Sequence, residues 1–63
     1  MERIVKTLMN RDGLTREEAE DQVVAFNSEM WLDVGQGGSL FDWEEAFTDE
    51  FSLEPDFFED LVL

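Results

Sequence analysis

Apolar residues return at helical spacing in four stretches of this chain, and polar or glycine-containing breaks separate them. In the longest stretch, Thr15 to Leu32, Ala19, Val23, Phe26 and Met30 recur at i, i+4, i+7 and i+11, one face of a 3.6-residue helix. Such a helix spans roughly 25 Å at the standard rise per residue. Thr15 is placed to cap its first amides, and Glu18 three residues on can reach back, the pattern of a capping box. Gly13 stops whatever precedes this helix, and Gly35-Gln36-Gly37-Gly38 stops the helix itself.

The other stretches read as shorter helices packed around it. Glu2 to Arg11 carries an apolar stripe of Met1, Ile4, Val5, Leu8 and Met9, and Asn10-Arg11-Asp12-Gly13 is the turn. Ser39 caps a third helix that runs to about Phe51, with Leu40, Trp43, Phe47 and Phe51 on one face. Ser52 to Leu63 holds the last helix, with Pro55 in its first turn, where a missing N–H is harmless. There Leu53, Phe57 and Leu61 face one way, Phe58 and Val62 lie beside them, and the C-terminal Leu61-Val62-Leu63 is expected to dock. No run alternates apolar and polar for long enough to make a strand. The pattern predicts an all-α fold, a compact bundle of four short helices in a single domain over residues 1–63. Its predicted core is Ile4, Val5, Leu8, Leu14, Ala19, Val23, Phe26, Met30, Leu40, Trp43, Phe47, Phe51, Phe57 and Leu61.

Some apolar residues fall off these faces. Val24 and Trp31, seven apart, predict that the second helix is covered on two sides. Phe41 falls outside the third helix's stripe. Trp31, Phe41, Phe58 and Val62 are the candidates for a homodimer interface, since a small core often needs such help.

Composition sharpens this picture. A 63-residue chain hides only about 60% of its unfolded surface, so its core is marginal. Eight aromatics offset this, because each buries a large area, and they argue against disorder despite a net charge of −13. All four bases, Arg3, Lys6, Arg11 and Arg16, lie in the first sixteen residues; Glu17 to Leu63 holds fifteen acids and no Lys or Arg. Such a surface repels nucleic acid and anionic membranes and attracts basic protein surfaces. The N-terminal residues lack the apolar run of a signal peptide, and no stretch has the length of a membrane span, so a cytoplasmic protein is the expectation.

The acids are placed against local helix stability. Glu17 and Asp21 stack at i, i+4; Asp42, Glu45 and Asp49 at i, i+3, i+7; Asp56, Glu59 and Asp60 form a third cluster. Like charges at these spacings cost ~0.2–0.5 kcal/mol per pair. Asp49, Glu50, Glu59 and Asp60 also sit toward helix C-termini, where the macrodipole disfavours them. Two readings follow. Carboxylates ~5–6 Å apart along a helix are spaced comparably to phosphates along a strand, so these eight residues are the candidate partner-binding set of a nucleic-acid mimic. Alternatively they are a solvated face that keeps an aromatic-rich protein, or one from a salt-adapted host, in solution.

Other chemistry finds little support. Asp33 to Glu44 falls partly on a calcium-loop template, with Asp33, Gly38, Leu40 and Glu44 at its first, sixth, eighth and twelfth positions. Gly35 and Gly37 stand where side-chain oxygens are needed, so a plain linker is expected, weak Ca²⁺ binding remains open, and no metal or cofactor is assigned. There is no cysteine for a thiolate site or disulfide and no histidine, and four short helices offer no substrate cleft, so an enzyme is not expected.

Two blocks carry a resemblance. Leu8-Met9-Asn10-Arg11-Asp12-Gly13-Leu14-Thr15-Arg16-Glu17-Glu18-Ala19-Glu20 and Phe51-Ser52-Leu53-Glu54-Pro55-Asp56-Phe57-Phe58-Glu59-Asp60-Leu61 resemble a family of small acidic helical proteins of bacteriophages and mobile elements, whose function is unassigned. The blocks cover about a third of the chain, and the glycine loop between them departs from the family's pattern. Phage genomes also carry small acidic inhibitors of anti-CRISPR and anti-restriction type. The resemblance therefore implies a non-enzymatic protein acting in the host cytoplasm on a basic, nucleic-acid-binding protein, and not on nucleic acid itself. The first two helices also resemble the helix hairpin of ubiquitin-associated domains, but Asn10-Arg11-Asp12-Gly13-Leu14 replaces that family's binding loop. The alternative function is a structural or assembly module that self-associates through its exposed aromatics.

Overall fold

A computed structural model describes residues 1–63. It contains four helices in the order α1 (Glu2–Asp12), α2 (Arg16–Gly35), α3 (Leu40–Phe51) and α4 (Asp56–Val62), with no strand. The fold is a small all-α bundle, and none of its helices is long and apolar enough to cross a membrane. Its longest helix is the 20-residue α2, in a molecule measuring 35 × 20 × 19 Å. The helix α1 packs on α2 and α4, and α2 meets α3 along a narrower seam.

The helix ends follow from local chemistry. Glu18 N donates to Thr15 Oγ1 at 3.1 Å, and Thr15 N donates to Glu18 Oε1 at 2.9 Å, so both halves of the capping box form. The Thr15 amide and hydroxyl thereby hold the Glu18 carboxyl below its usual range. Gly13 ends α1 with a left-handed backbone (φ 69°), and its amide donates to Met9 O at 3.1 Å. Phe41 N donates to Ser39 Oγ at the start of α3.

At its far end α2 continues three residues past Leu32 and stops at Gln36 and Gly37, the latter with φ 105°. Gln36 N and Gly38 N both donate to Asp33 O, at 3.0 and 2.9 Å. The Trp43 indole N–H donates to Asp33 Oδ2 at 2.8 Å, tying α3 to the end of α2. A Cβ added at Gly38 would overlap the Asp33 carboxylate and push it from its bond with the Trp43 indole. Asp33 is thus engaged in closing a helix corner, and no three acidic side chains converge in the geometry a metal loop needs.

The core consists of Ile4, Val5, Leu8, Ala19, Val23, Phe26, Met30, Phe47, Phe51, Leu53 and Phe58. Its centre is aromatic. Phe26 meets Trp43, Phe47 and Phe51 edge-on at centroid distances of 5.4, 5.8 and 5.4 Å. Phe47 also meets Phe51 at 5.1 Å and Phe58 at 5.5 Å. Such pairs add ~0.5–1.5 kcal/mol each beyond the area they bury.

Several sequence expectations are corrected here. Leu40 is exposed rather than buried (36%), because it opens α3 beyond the narrow α2–α3 seam. Leu14, Trp43, Phe57 and Leu61 are half-buried against the core rather than within it. Leu53, grouped with the last helix, precedes it in the α3–α4 connection and fills the core from there. Phe58 belongs to the core and not to a dimer surface, since α4 turns it onto Phe47, and Val62 packs beside it. The second side of α2 is uncovered: Val24 is 48% and Trp31 42% exposed. Leu61 and Val62 dock, but Leu63 projects into solvent.

A domain of 63 residues has total stability of about 3–9 kcal/mol. Phe47→Ala, at a fully buried site, costs about 3–5 kcal/mol, so urea unfolding followed by circular dichroism should find it largely unfolded. Leu40→Ala, at the exposed rim, should lose under about 1 kcal/mol. Equal losses would displace Phe47 from the centre of this core.

Candidate partner-binding surface

The predicted acidic residues fall into two groups once folded. Glu17 and Asp21 on α2, and Asp42, Glu45 and Asp49 on α3, are all exposed and have no cationic partner. Each row is held by helical spacing alone. The inward stripe of α3, Trp43, Phe47 and Phe51, directs Asp42, Glu45 and Asp49 outward. Phe41 stands on the same outward side and is 84% exposed. Glu59 on α4 is also exposed and unpaired.

Asp56 and Asp60 are occupied within the chain. Arg3 Nη2 reaches Asp56 Oδ2 at 3.3 Å, and its guanidinium lies 4.6 Å from the centroid of the Phe57 ring. Asp60 is more deeply engaged, with its side chain only 22% exposed. Its Oδ2 accepts Arg3 N at 3.1 Å and Ile4 N at 3.4 Å, and it pairs with the Met1 ammonium at 2.7 Å. Met1 offers α1 no side-chain cap. A carboxylate from α4, distant in sequence, therefore caps α1, satisfying its first free amides and facing the positive end of its dipole. The ammonium, chiefly, and these amides hold the Asp60 carboxyl below its usual range, against a smaller opposing effect of burial. Asp60 therefore belongs to the architecture and is removed from the free acidic surface.

The bases are consumed in the same way. Arg16 pairs with Glu2 at 2.8 Å, bringing the start of α2 against α1. Arg11 pairs with Asp12 at 2.9 Å and donates from Nη1 to Ser52 O at 3.1 Å, where α3 ends in a left-handed serine (φ 54°). These exposed pairs add little stability individually. Their effect is on the field outside the molecule: every arginine is matched, Lys6 alone has no ion-pair partner, and the unmatched charge is otherwise negative.

One open groove of about 240 Å³ lies between α2 and α3. Gln22, Ala25, Phe26 and Glu29 form one wall, and Glu50 and Phe51 the other. The small Ala25 and the limited α2–α3 contact leave this recess, and neither Glu29 nor Glu50 has a cationic partner. In the sequence Glu50 stands out only as an acid near a helix C-terminus and Glu29 not at all, although Gln22, Ala25, Phe26 and Glu29 sit at i, i+3, i+4 and i+7 of one helix flank. Comparisons with protein-family models, with characterised proteins and with solved structures found no match for this chain.

Asp60→Ala should destabilise the fold by about 1 kcal/mol at neutral pH, through loss of the α1 cap. Because the folded carboxyl titrates below its unfolded value, its contribution is present above about pH 4 and is lost as pH falls through the folded value. Chemical denaturation across pH should therefore show the gap between wild type and variant constant near neutrality and narrowing below about pH 4. A gap independent of pH would mean that the carboxylate's charge contributes nothing to the cap.

Proposed function

We propose that this is a small, non-enzymatic, phage-type acidic protein that works in the host cytoplasm by occupying the nucleic-acid-binding surface of a basic protein, as a DNA mimic. One observation carries the reading. The carboxylates of Glu17, Asp21, Asp42, Glu45 and Asp49 stand exposed on helices with no cation to neutralise them, while the arginines are matched by other acids of the chain. Keeping like charges together in rows costs stability, and a partner surface rich in Lys and Arg recovers that cost. Long-range attraction steers the encounter, and rows fixed on helices lose little freedom on docking.

The test uses capture from lysate of the organism that carries the gene. A nucleic-acid-binding protein should be retained at low salt, be competed off by DNA, and be released at ~0.5 M salt, where screening shortens to a few Å. Reversing Asp42, Glu45 and Asp49 to Lys should abolish capture while circular dichroism stays helical. Undiminished capture by that folded variant would end the mimicry reading.

A second reading rests on a different observation. Trp31 and Phe41 remain exposed after folding, together with Leu32 and Val24. They supply the apolar surface of an assembly module, with Phe58 and Val62 no longer part of it. On this reading the chain forms a concentration-dependent dimer with little salt sensitivity, and Phe41→Ser weakens it. Sedimentation that finds a monomer at the highest attainable concentration would remove this alternative.

A further inference from the structure

We propose that the groove between α2 and α3 is a seat for a single arginine side chain projecting from the basic partner, a reading that rests on the proposal that the partner is basic. The groove combines two features that select this occupant. Its apolar part is the exposed methyl of Ala25 together with the small edges that the core rings Phe26 and Phe51, 7% and 4% exposed, leave uncovered. Its polar part is formed by Glu29 and Glu50, one from each wall, with Gln22 beside them. Neither carboxylate forms an ion pair within the chain, and the nearest bases in sequence, Arg16 and Arg11, are committed to Glu2 and to Asp12 with Ser52.

The chemistry favours arginine over other ligands. An anion is repelled by both walls. A purely apolar side chain finds little apolar surface here and leaves both exposed carboxylates unpaired beside it. A cation with a long aliphatic stem fits both parts at once, its stem on the aromatic edges and its head between the carboxylates. Between the two such side chains, guanidinium is the more weakly hydrated and offers donors in several directions to acceptors on opposite walls. Ammonium is a compact, strongly hydrated charge and gains less on leaving water. An opening of about 240 Å³ admits one such side chain and leaves its backbone outside. The seat also differs in kind from the α3 row. Asp42, Glu45 and Asp49 supply long-range attraction without a recess, whereas the groove supplies a shaped contact that distinguishes one cation from another.

The test is a titration of the full chain, followed by amide shifts in two-dimensional NMR. The probe is N-acetyl-arginine amide, compared with the corresponding lysine and citrulline amides. The arginine amide should shift Gln22, Ala25, Glu29 and Glu50 with saturation in the millimolar range, as expected for one side chain without its protein. The lysine amide should bind several-fold more weakly, and neutral citrulline should leave the spectrum unchanged. Glu29→Gln with Glu50→Gln should weaken arginine binding about tenfold or more. This variant removes two uncompensated like charges and retains both side-chain lengths, so it keeps the fold. Shifts centred on Asp42, Glu45 and Asp49, a drift without saturation, equal response to arginine and lysine, or no response would each overturn the seat. The outcome is independent of the capture experiment: the free amino-acid amide can bind a groove whether or not a DNA-binding partner exists, and capture can succeed through the α3 row while the groove stays empty.

Discussion

Phe47 is fully withdrawn from solvent between Phe26 of α2, Phe51 of α3 and Phe58 of α4, and the rest of the molecule depends on that cluster. A chain of this length has little interior to draw on, and a net charge of −13 works against compactness. Aromatic rings solve the shortage because each removes more area from water than an aliphatic side chain does. Placing the rings on three different helices makes their burial cooperative: no single helix keeps its share if another leaves. The helix α1 joins this centre with smaller side chains, Ile4, Val5 and Leu8, in the core cluster it shares with Ala19 and Val23 of α2.

Charge is distributed by the same logic. The bases of the N-terminal segment reach to the other elements: Arg3 to Asp56 of α4, Arg11 to the carbonyl that follows α3, and Arg16 back to Glu2 of α1. Each exposed pair is weak, but together they place the few cations at seams between elements. Asp60 works in the opposite sense, an acid placed against helix amides that no local residue caps. What the bundle does not use is left as unneutralised carboxylate, mostly on α2 and α3.

Local features were legible from the residues alone. The capping box at Thr15 and Glu18, the glycine stop at Gly13, the inward face of α2, and Phe47 and Phe51 on the inward face of α3 all depend on neighbours within a few positions, and form as the spacing predicts. The misses are nonlocal. Leu53 lies in a connection, where helical period carries no information, and it is buried because α3 and α4 close over it. Phe58 lies one position from the stripe drawn through Phe57 and Leu61; only the angle at which α4 docks on Phe47 decides which phenyl turns inward. Asp60 looked like one more surface acid, and its role needs the last turn of α4 to lie against the start of α1, which no local pattern encodes. The uncovered flank of α2 shows the converse. Val24 and Trp31 resemble a second buried face, but four helices this short do not reach around α2 to cover it.

The core and the acidic surface are therefore a single construction. A helix can rotate about its axis only if its inner side chains permit it, and Trp43, Phe47 and Phe51 meet Phe26 at fixed angles along α3. The indole bond from Trp43 to Asp33 locks the first turn, and Gly38 leaves room for the Asp33 carboxylate that accepts it. With α3 prevented from turning, Asp42, Glu45 and Asp49 hold a constant direction, and Phe41 stands beside them as a rigid apolar projection. Fixed charges lose less entropy on meeting a partner than charges on a loop would. An exposed phenyl among carboxylates also has no counterpart on a phosphate backbone. If the partner is basic, as proposed, a surface that fits this one sets an apolar recess among its bases, a narrower demand than positive charge alone.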